Sequence, residues 1–410
     1  MKDKKEDKFR ASDFPSLIIA GFVSVIVNYG GTFILIFQAA KVAGLSAELT
    51  SSWVWAVSLG TGLTGLWLSI RYKVPVITAW STPGAAFLIT ALATVPYTEA
   101  IGAYIVSGAA FLILGISGMF DRVIKLIPQG IAAGLLAGIL FPFGINAFKE
   151  ISIDPMLVCL LFASFIILKR FTSRYAILGV LVIGLSYLLV SDKITFSSLE
   201  WSLSKPIFTS PDFSINALLS VALPLFVVTL TGQYMPGMLV LQNDGYKKIS
   251  ANPILTVTGL GSMILAVFGS SPFNIAAITA AIATGKDTHE NPNKRYVAGI
   301  TCGILYSLVG IFGVTFVALF MAFPSSFIAM LAGLALLGTI AGSISNAMMD
   351  VETREAALIT FLVSAANINM LGIGGAFWGL VAGLLAYLVI NGRLKIANRS
   401  RIMAPKTNKL

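Results

Sequence analysis

Two stretches of this chain share an unusual order of residues. VITAWSTPGAAFLIT (76–90) and VFGSSPFNIAAITAA (267–281) each set Ser/Thr-Pro in the middle of an apolar run. Proline lacks a backbone N–H and has a fixed φ, so it breaks a helix from inside but begins one at no cost. The residue before it is pushed toward extended geometry and can cap the helix that follows. The spacing predicts extended chain over 76–81 and 267–270, caps at Thr82 and Ser271, and half-helices starting at Pro83 and Pro272. Two half-helix N-termini facing each other at mid-bilayer present free N–H groups and positive dipole ends, which hold an anion without Arg or Lys. A carboxylate there would meet the N–H groups near Gly84, Ala85, Asn274 and Ile275, with the Ser81, Thr82 and Ser271 hydroxyls assisting. The plainer alternative is a pair of kinked spans; the matching of the two segments favours a site.

Tyr29, Phe33, Trp80, Tyr234 and Phe273 fall near the same level and would form an apolar wall for a ring-shaped ligand, although each alone also suits packing or interface anchoring. Asn28 and Gln233 are amides deep in apolar runs and need partners, either ligand or another helix. Nothing else carries chemistry. GTGLTG (60–65) has the form of a dinucleotide fingerprint but no preceding strand, and reads as helix packing. GIAAGLLAG (130–138) spaces small residues for close helix approach. His289, the single histidine, lies in the charged loop KDTHENPNKR and reads as solvated. No nucleophile, metal-ligand or phosphate-loop pattern is present, so neither an enzyme nor a cofactor is expected.

The elements that would position these residues are membrane spans. Of 410 residues 57% are hydrophobic and 11% charged, against about a quarter charged in soluble proteins. The lipid bilayer is the implied surrounding. Charge-free stretches run 14–40, 49–70, 74–98, 100–120, 126–148, 155–168, 175–191 and 213–243, and 249–285, 296–349 and 356–392 are each long enough for two segments, given about 20 residues per crossing. The count is fourteen. Lys and Arg concentrate in cytoplasmic loops, and with both termini inside only Lys41, Lys149, Lys193 and Lys205 of the 28 lie outside. The net charge of +10 is therefore a topology signal and not a nucleic-acid surface. Cys159 and Cys302 sit in apolar runs and read as small hydrophobes, with no disulfide. The charged tail lacks a cleavage site, so the first span reads as retained.

Seven segments per half give the second half the opposite orientation, an inverted repeat. VNYGGTFILIF aligns with GQYMPGMLVLQ, pairing Asn28 with Gln233 and Tyr29 with Tyr234, and IPQGIAAGLLAG aligns with FPSSFIAMLAGL, pairing Pro128 with Pro324. The resulting plan is an all-α polytopic protein. A tail (1–13) precedes the first repeat (14–191; core 14–120, gate 121–191). An external connector (192–212, with Trp201) leads to the second repeat (213–392; core 213–321, gate 322–392) and a tail (393–410).

AWSTPGAA, PGMLVLQNDGY, NIAAITAAI followed by TG, and REAALITFLV (354–363) make the chain similar to the bacterial benzoate/proton symporter family over nearly its whole length. The wider group includes nucleobase symporters and sulfate-type anion transporters. The resemblance implies seven-plus-seven inverted topology, a core and a gate domain, and a site between segments 3 and 10. It further implies secondary transport of benzoate or a similar aromatic monocarboxylate, with protons, by alternating access in the bacterial inner membrane. An inorganic-anion or nucleobase-type carrier is the alternative, and a homodimer through the gate domain is an open option. One departure stands out: where the family commonly has Gly-Gly-His before the segment 10 half-helix, this chain has Gly269, Ser270 and Ser271. No Asp, Glu or His lies in segments 1, 3, 8 or 10, so a coupled proton would ride on the substrate carboxylate, or on Glu99 or Glu355.

Overall fold

A computed structural model of the chain describes residues 9–171, 176–194, 203–247, 249–276, 278–286, 288–368, 370–371 and 373–391. Most of the two tails and the 195–202 part of the connector, with Trp201, lie outside the described residues. The first half runs α1 (Phe14–Gly31), α2 (Ile34–Val42), α3 (Ala47–Tyr72), β1 (Thr78–Trp80), α4 (Thr82–Ala91), α5 (Tyr97–Ser117), α6 (Phe120–Leu126), α7 (Gln129–Lys149), α8 (Pro155–Phe171) and α9 (Ala176–Val190). The second half opens with a helical stretch over Ile215–Asn243, made of α10 (Ile215–Ala217), α11 (Leu223–Thr229) and α12 (Met235–Asn243). There follow α13 (Ala251–Ala266), β2 (Phe273–Ile275), α14 (Ile278–Thr284), α15 (Tyr296–Ile311), α16 (Gly313–Met321), α17 (Ser325–Met349), α18 (Arg354–Ala366) and α19 (Gly375–Asn391). From α3 and α13 onward, the order of elements in one half is repeated in the other. Among the described residues six helices are long and apolar enough to cross a membrane by themselves.

Local chemistry sets the ends of these helices. The Ser46 hydroxyl accepts from Leu49 N at the start of α3, and Ser214 does the same for Ala217 at the start of α10. Gly118 closes α5 at φ +67°, a conformation that costs a glycine nothing. Within Ile215–Asn243 the α-helical pieces are separated by π-helical turns at Leu218–Ala222 and Leu230–Tyr234. Each turn comes just before a proline, Pro224 or Pro236. A proline ring cannot tolerate the carbonyl four residues back and offers no N–H to it, so an extra residue in the turn absorbs the mismatch.

The halves interlock crosswise: α3 packs on α15 and α5 on α13. Small residues permit it, because a Cβ on Gly62 would lie 2.7 Å from the Gly303 carbonyl and one on Gly259 would lie 2.9 Å from that of Gly108. The glycines of 130–138 serve α7 in the same way. Cβ atoms on Gly134 and Gly138 would collide with the Ala357 and Phe361 carbonyls of α18. GTGLTG is helix packing as expected, with Gly60 against the Phe273 ring and Gly65 against Thr78.

Segments 3 and 10 are both interrupted, though not at the residues expected. In segment 3 the helix begins at Thr82 and its cap is Ser81, whose hydroxyl accepts from Gly84 N. The predicted cap at Thr82 is therefore one residue late; Pro83 fits either way, since the N–H groups of the first turn are unbonded within the helix. In segment 10, Ser271 caps nothing and Pro272 does not start a helix. The chain passes from Pro272 directly into β2, and α14 begins only at Ile278. Proline's φ suits the start of a strand as well as that of a helix, and pairing with β1 selects the strand.

Candidate functional site

β1 and β2 run antiparallel, with Thr78 opposite Ile275, Ala79 opposite Asn274 and Trp80 opposite Phe273. Ala276 N donates to the Ile77 carbonyl at 2.8 Å, which makes Ala79 and Asn274 the next hydrogen-bonded pair. A two-stranded ribbon leaves N–H groups along its outer edges that nothing in a membrane can satisfy except the protein. At two of them hydroxyls on the neighbouring helices do so. Ser69 of α3 accepts from Val76 N at 3.2 Å, and Ser262 of α13 accepts from Phe273 N at 3.1 Å.

Much of the donor set expected for an anion is already in use. Gly84 N donates to the Ser81 hydroxyl at 3.0 Å, Ala85 N to the Ser81 carbonyl at 2.7 Å, and Asn274 N belongs to the ladder. These N–H groups hold the backbone together, which corrects their expected role as free donors. Spare hydrogen-bonding capacity lies instead on side chains. Among the described residues Thr82, Gln233 and Ser271 are buried and their side chains make no protein hydrogen bond. Asn274 is fully buried; its Nδ2 donates to the Ile275 carbonyl at 3.2 Å, while its Oδ1 has no partner. Thr279 Oγ1, in the first turn of α14, is likewise buried and unpartnered. Sequence reasoning missed Thr279, whose hydroxyl just inside a half-helix was the available signal.

Segment 8 is held directly against α4. Thr229 donates its hydroxyl to Ser81 Oγ at 2.9 Å, and a Cβ on Gly232 would lie 3.2 Å from the Pro83 ring. Gln233 sits next along, in the second π-helical turn.

The aromatic residues separate into two groups. Tyr29 lies 4.5 Å from Phe33, 5.1 Å from Trp80 and 5.4 Å from Tyr306, ring centre to ring centre. Their polar atoms are tied down: Tyr29 OH donates to Ser58 Oγ at 2.7 Å, Trp80 Nε1 to Thr32 Oγ1 at 3.1 Å, and Asn28 Nδ2 to Tyr306 OH at 2.7 Å. Tyr306 was not singled out from sequence, although a hydroxyl in the middle of an apolar span signals a polar partner as an amide does. Tyr234 and Phe273 lie elsewhere. Tyr234 OH is 2.6 Å from Thr258 Oγ1 and its ring is 5.0 Å from Phe111. The Phe273 ring fills the gap between Gly60 of α3 and Gly261 of α13. The single wall expected from five aromatics is therefore one cluster of Tyr29, Phe33 and Trp80 with Tyr306, with Tyr234 and Phe273 packed separately against Phe111 and against Gly60 and Gly261.

Among the described residues no group of three His, Cys, Asp or Glu side chains comes together. His289 is not solvated as expected. Its Nε2 lies 3.2 Å from Asp13 Oδ1, beside the Lys294 ammonium, and ties the start of α1 to the loop before α15. Cys159 is exposed on α8, Cys302 is buried, and both are free thiols.

Residues 11–389 match the model of a family described as the benzoate membrane transport protein. The chain belongs to that family. It is accordingly a multi-pass membrane transport protein and not an enzyme. It is 43% identical over 375 residues to a benzoate membrane transport protein of Acinetobacter baylyi, covering 92% of this chain and 95% of the relative. It is 40% identical over 387 residues to the inner membrane protein YdcO of Escherichia coli, covering 94% and 98%. The fold is shared with solved anion-transporter structures. The transmembrane domain of the cyanobacterial bicarbonate transporter BicA superposes with a TM-score of 0.61 at 12% identity, covering 92% of this chain and 99% of that one. SLC26A9 superposes at 0.62 and 11%, covering 93% and 66%.

Proposed function

We propose that this member of the benzoate transport family moves benzoate or a closely similar aromatic monocarboxylate across the bacterial inner membrane by alternating access. The core comprises 14–120 and 213–321, and the gate 121–191 and 322–392. The observation that carries the reading is an uncharged, hydrogen-bond-capable site beside an aromatic cluster. Thr82, Ser271, Gln233 and Asn274 keep unused polar groups around the α4 N-terminus and the ribbon, with Trp80 in β1 bridging to Tyr29, Phe33 and Tyr306. The hydroxyls, the Gln233 amide and the α4 dipole would receive the carboxylate, and the rings would receive the arene.

Fourteen crossings with both termini inside remain the best topology. Contacts near the ends of the spans sort cleanly in its support. Ser52 with Ile207 and Phe268, Asp212 with Thr98, and Ser326 with Glu150 would all be external. Asp13 with Lys294, and Tyr246 with Pro292, would be cytoplasmic.

The proton would travel on the substrate. The unpartnered Asn274 Oδ1 is an acceptor, suited to the O–H of a protonated acid rather than to a carboxylate. Glu99 is engaged by Ser214 at the outer end of α5, and Glu355 lies at the start of α18. The test is uptake of labelled benzoate into proteoliposomes under an imposed pH gradient, with chloride, sulfate, bicarbonate and uracil as competitors. Benzoate accumulation that survives Glu99→Gln and Glu355→Gln supports the reading. Competition by an inorganic anion or uracil, with benzoate untransported, replaces it by the carrier alternative. Loss of accumulation with retained binding in either variant puts the proton on the protein.

A further inference from the structure

A cavity of about 560 Å³ opens between the outer ends of α2 and α4 on one side and of α7 and α17 on the other, and no ribbon residue lines it. Its walls are mainly apolar, with Phe37 and Ile89 from the first half of the core facing Phe143 and Phe323. At its rim stand Lys41, from the end of α2, and Lys149, from the end of α7. Both are exposed, and among the described residues neither has an ion-pair or hydrogen-bond partner. Their position is unusual for this chain, which has only four cations outside in the proposed topology. A third, Lys193, is already neutralised by Asp154. Glu150 also borders the cavity; its carboxylate accepts the Ser326 hydroxyl at 2.7 Å, which orients it but leaves its charge, so the two lysines outweigh the one carboxylate at this rim.

We infer that this cavity is a capture site for the substrate on the external face. The carboxylate is drawn between Lys41 and Lys149 and the ring is received by Phe37, Phe143 and Phe323, before the molecule moves inward past Ile89 on α4 toward the half-helix N-terminus. The inference rests on the proposed benzoate transport and topology. Three features commit it to an aromatic monocarboxylate. The two cations are free, the walls beneath them are aromatic, and the volume accommodates a single-ring acid with its water. A doubly charged inorganic anion would find the lysines but nothing to reward leaving water for the apolar walls; a neutral arene would find only the walls. Because α2 and α4 belong to the core and α7 and α17 to the gate, movement of one against the other changes the distance between the two ammonium groups. Capture is then tied to the conformation that opens outward.

The experiment uses the full chain in proteoliposomes and in whole cells. The Lys41→Gln/Lys149→Gln double variant is expected to raise the half-saturating benzoate concentration about five-fold, as for the loss of two exposed charge contacts, and to lower the maximal rate by much less. The Lys41→Arg/Lys149→Arg variant restores it, and added salt narrows the difference. Lys205→Gln removes the same charge from the external face away from the cavity and leaves the half-saturating concentration unchanged. A second readout reports on the site itself. In a Cys159→Ser background, benzoate is expected to slow labelling of Asn146→Cys by an impermeant external maleimide, and this protection is lost when both lysines are glutamine. An unchanged half-saturating concentration in the double variant, or protection that does not depend on the lysines, overturns the capture site and leaves benzoate transport standing. Absence of benzoate uptake by the unsubstituted protein overturns the transport reading, and the capture site with it.

Discussion

Ser81 accepts two hydrogen bonds, one from Gly84 N that closes the start of α4 and one from Thr229 that joins α4 to segment 8. Its neighbour Thr82 is equally buried but makes no side-chain hydrogen bond. Ser81→Ala should cost about 1 kcal/mol or somewhat more through loss of the cap, seen as a lower melting temperature of the purified protein with or without benzoate. Thr82→Ala should change that temperature little and reduce the stabilisation that benzoate gives. Asn274 supplies a sharper contrast. An unpaired buried polar atom costs about 1–3 kcal/mol; Asn274→Leu removes the orphan Oδ1 but leaves the Ile275 carbonyl without its Nδ2 donor. It should therefore change ligand-free stability little while abolishing the benzoate-induced shift, and a loss of stability without any change in the shift would assign Asn274 to structure. Ser-Thr-Pro was readable as a break, but it offers two adjacent hydroxyls, and the one that caps is the one that Thr229, far away in sequence, also bonds. That Asn28 and Tyr29 need polar partners was readable because an amide and a phenol in apolar runs cannot be left unbonded, and they find them in Tyr306 and Ser58. Tyr234 makes the corresponding contacts, its hydroxyl beside Thr258 of α13 and its ring on Phe111 of α5, as Tyr29 meets Ser58 of α3 and Tyr306 of α15. The identity of those partners was not readable, because they lie far away in sequence.

Among the elements, the loop before α8 is joined to the end of α9 by Asp154 and Lys193. Partial burial works against the Asp154 carboxylate, but the Lys193 ammonium and the Leu157 N–H outweigh it and hold its pKa below the ordinary range. The same contact raises the Lys193 pKa. A carboxylate with a depressed folded pKa contributes stability that is complete above its unfolded value, about 3.9, and disappears as pH falls through the folded one. Asp154→Asn should therefore lower the melting temperature slightly at neutral pH, with the difference from the parent protein closing only as the pH drops below about 4. On the alkaline side the pair persists to beyond the usual lysine range. The strand β2 shows where reading by element fails. Ser-Pro-Phe-Asn-Ile obeys the local rules for a helix start, and only β1, from the other half of the chain, makes it a strand. The π-helical turns of segment 8 were likewise unanticipated, although Pro224 and Pro236 were visible as the residues that would need them.

At the scale of the whole molecule, the close approach of helices at GTGLTG and GIAAGLLAG was readable from small-residue spacing, but the crosswise packing of α3 on α15 and α5 on α13 was not, because the spacing marks a close contact without naming its partner. The ribbon has a further consequence, for the order in which the protein can be made. Each half contributes one strand, and until the second strand is synthesised the first has backbone groups at mid-membrane with nothing to bond, each costing several kcal/mol. The amino-terminal half is thus an incomplete object in the bilayer, which must wait for its counterpart or be removed. Expressed by itself, a fragment ending in the connector should be degraded or held by insertion chaperones, and co-expression of the remaining half as a separate polypeptide should rescue both, measured by fragment abundance and co-purification. Stable accumulation of the lone first half would mean that its strand finds another partner.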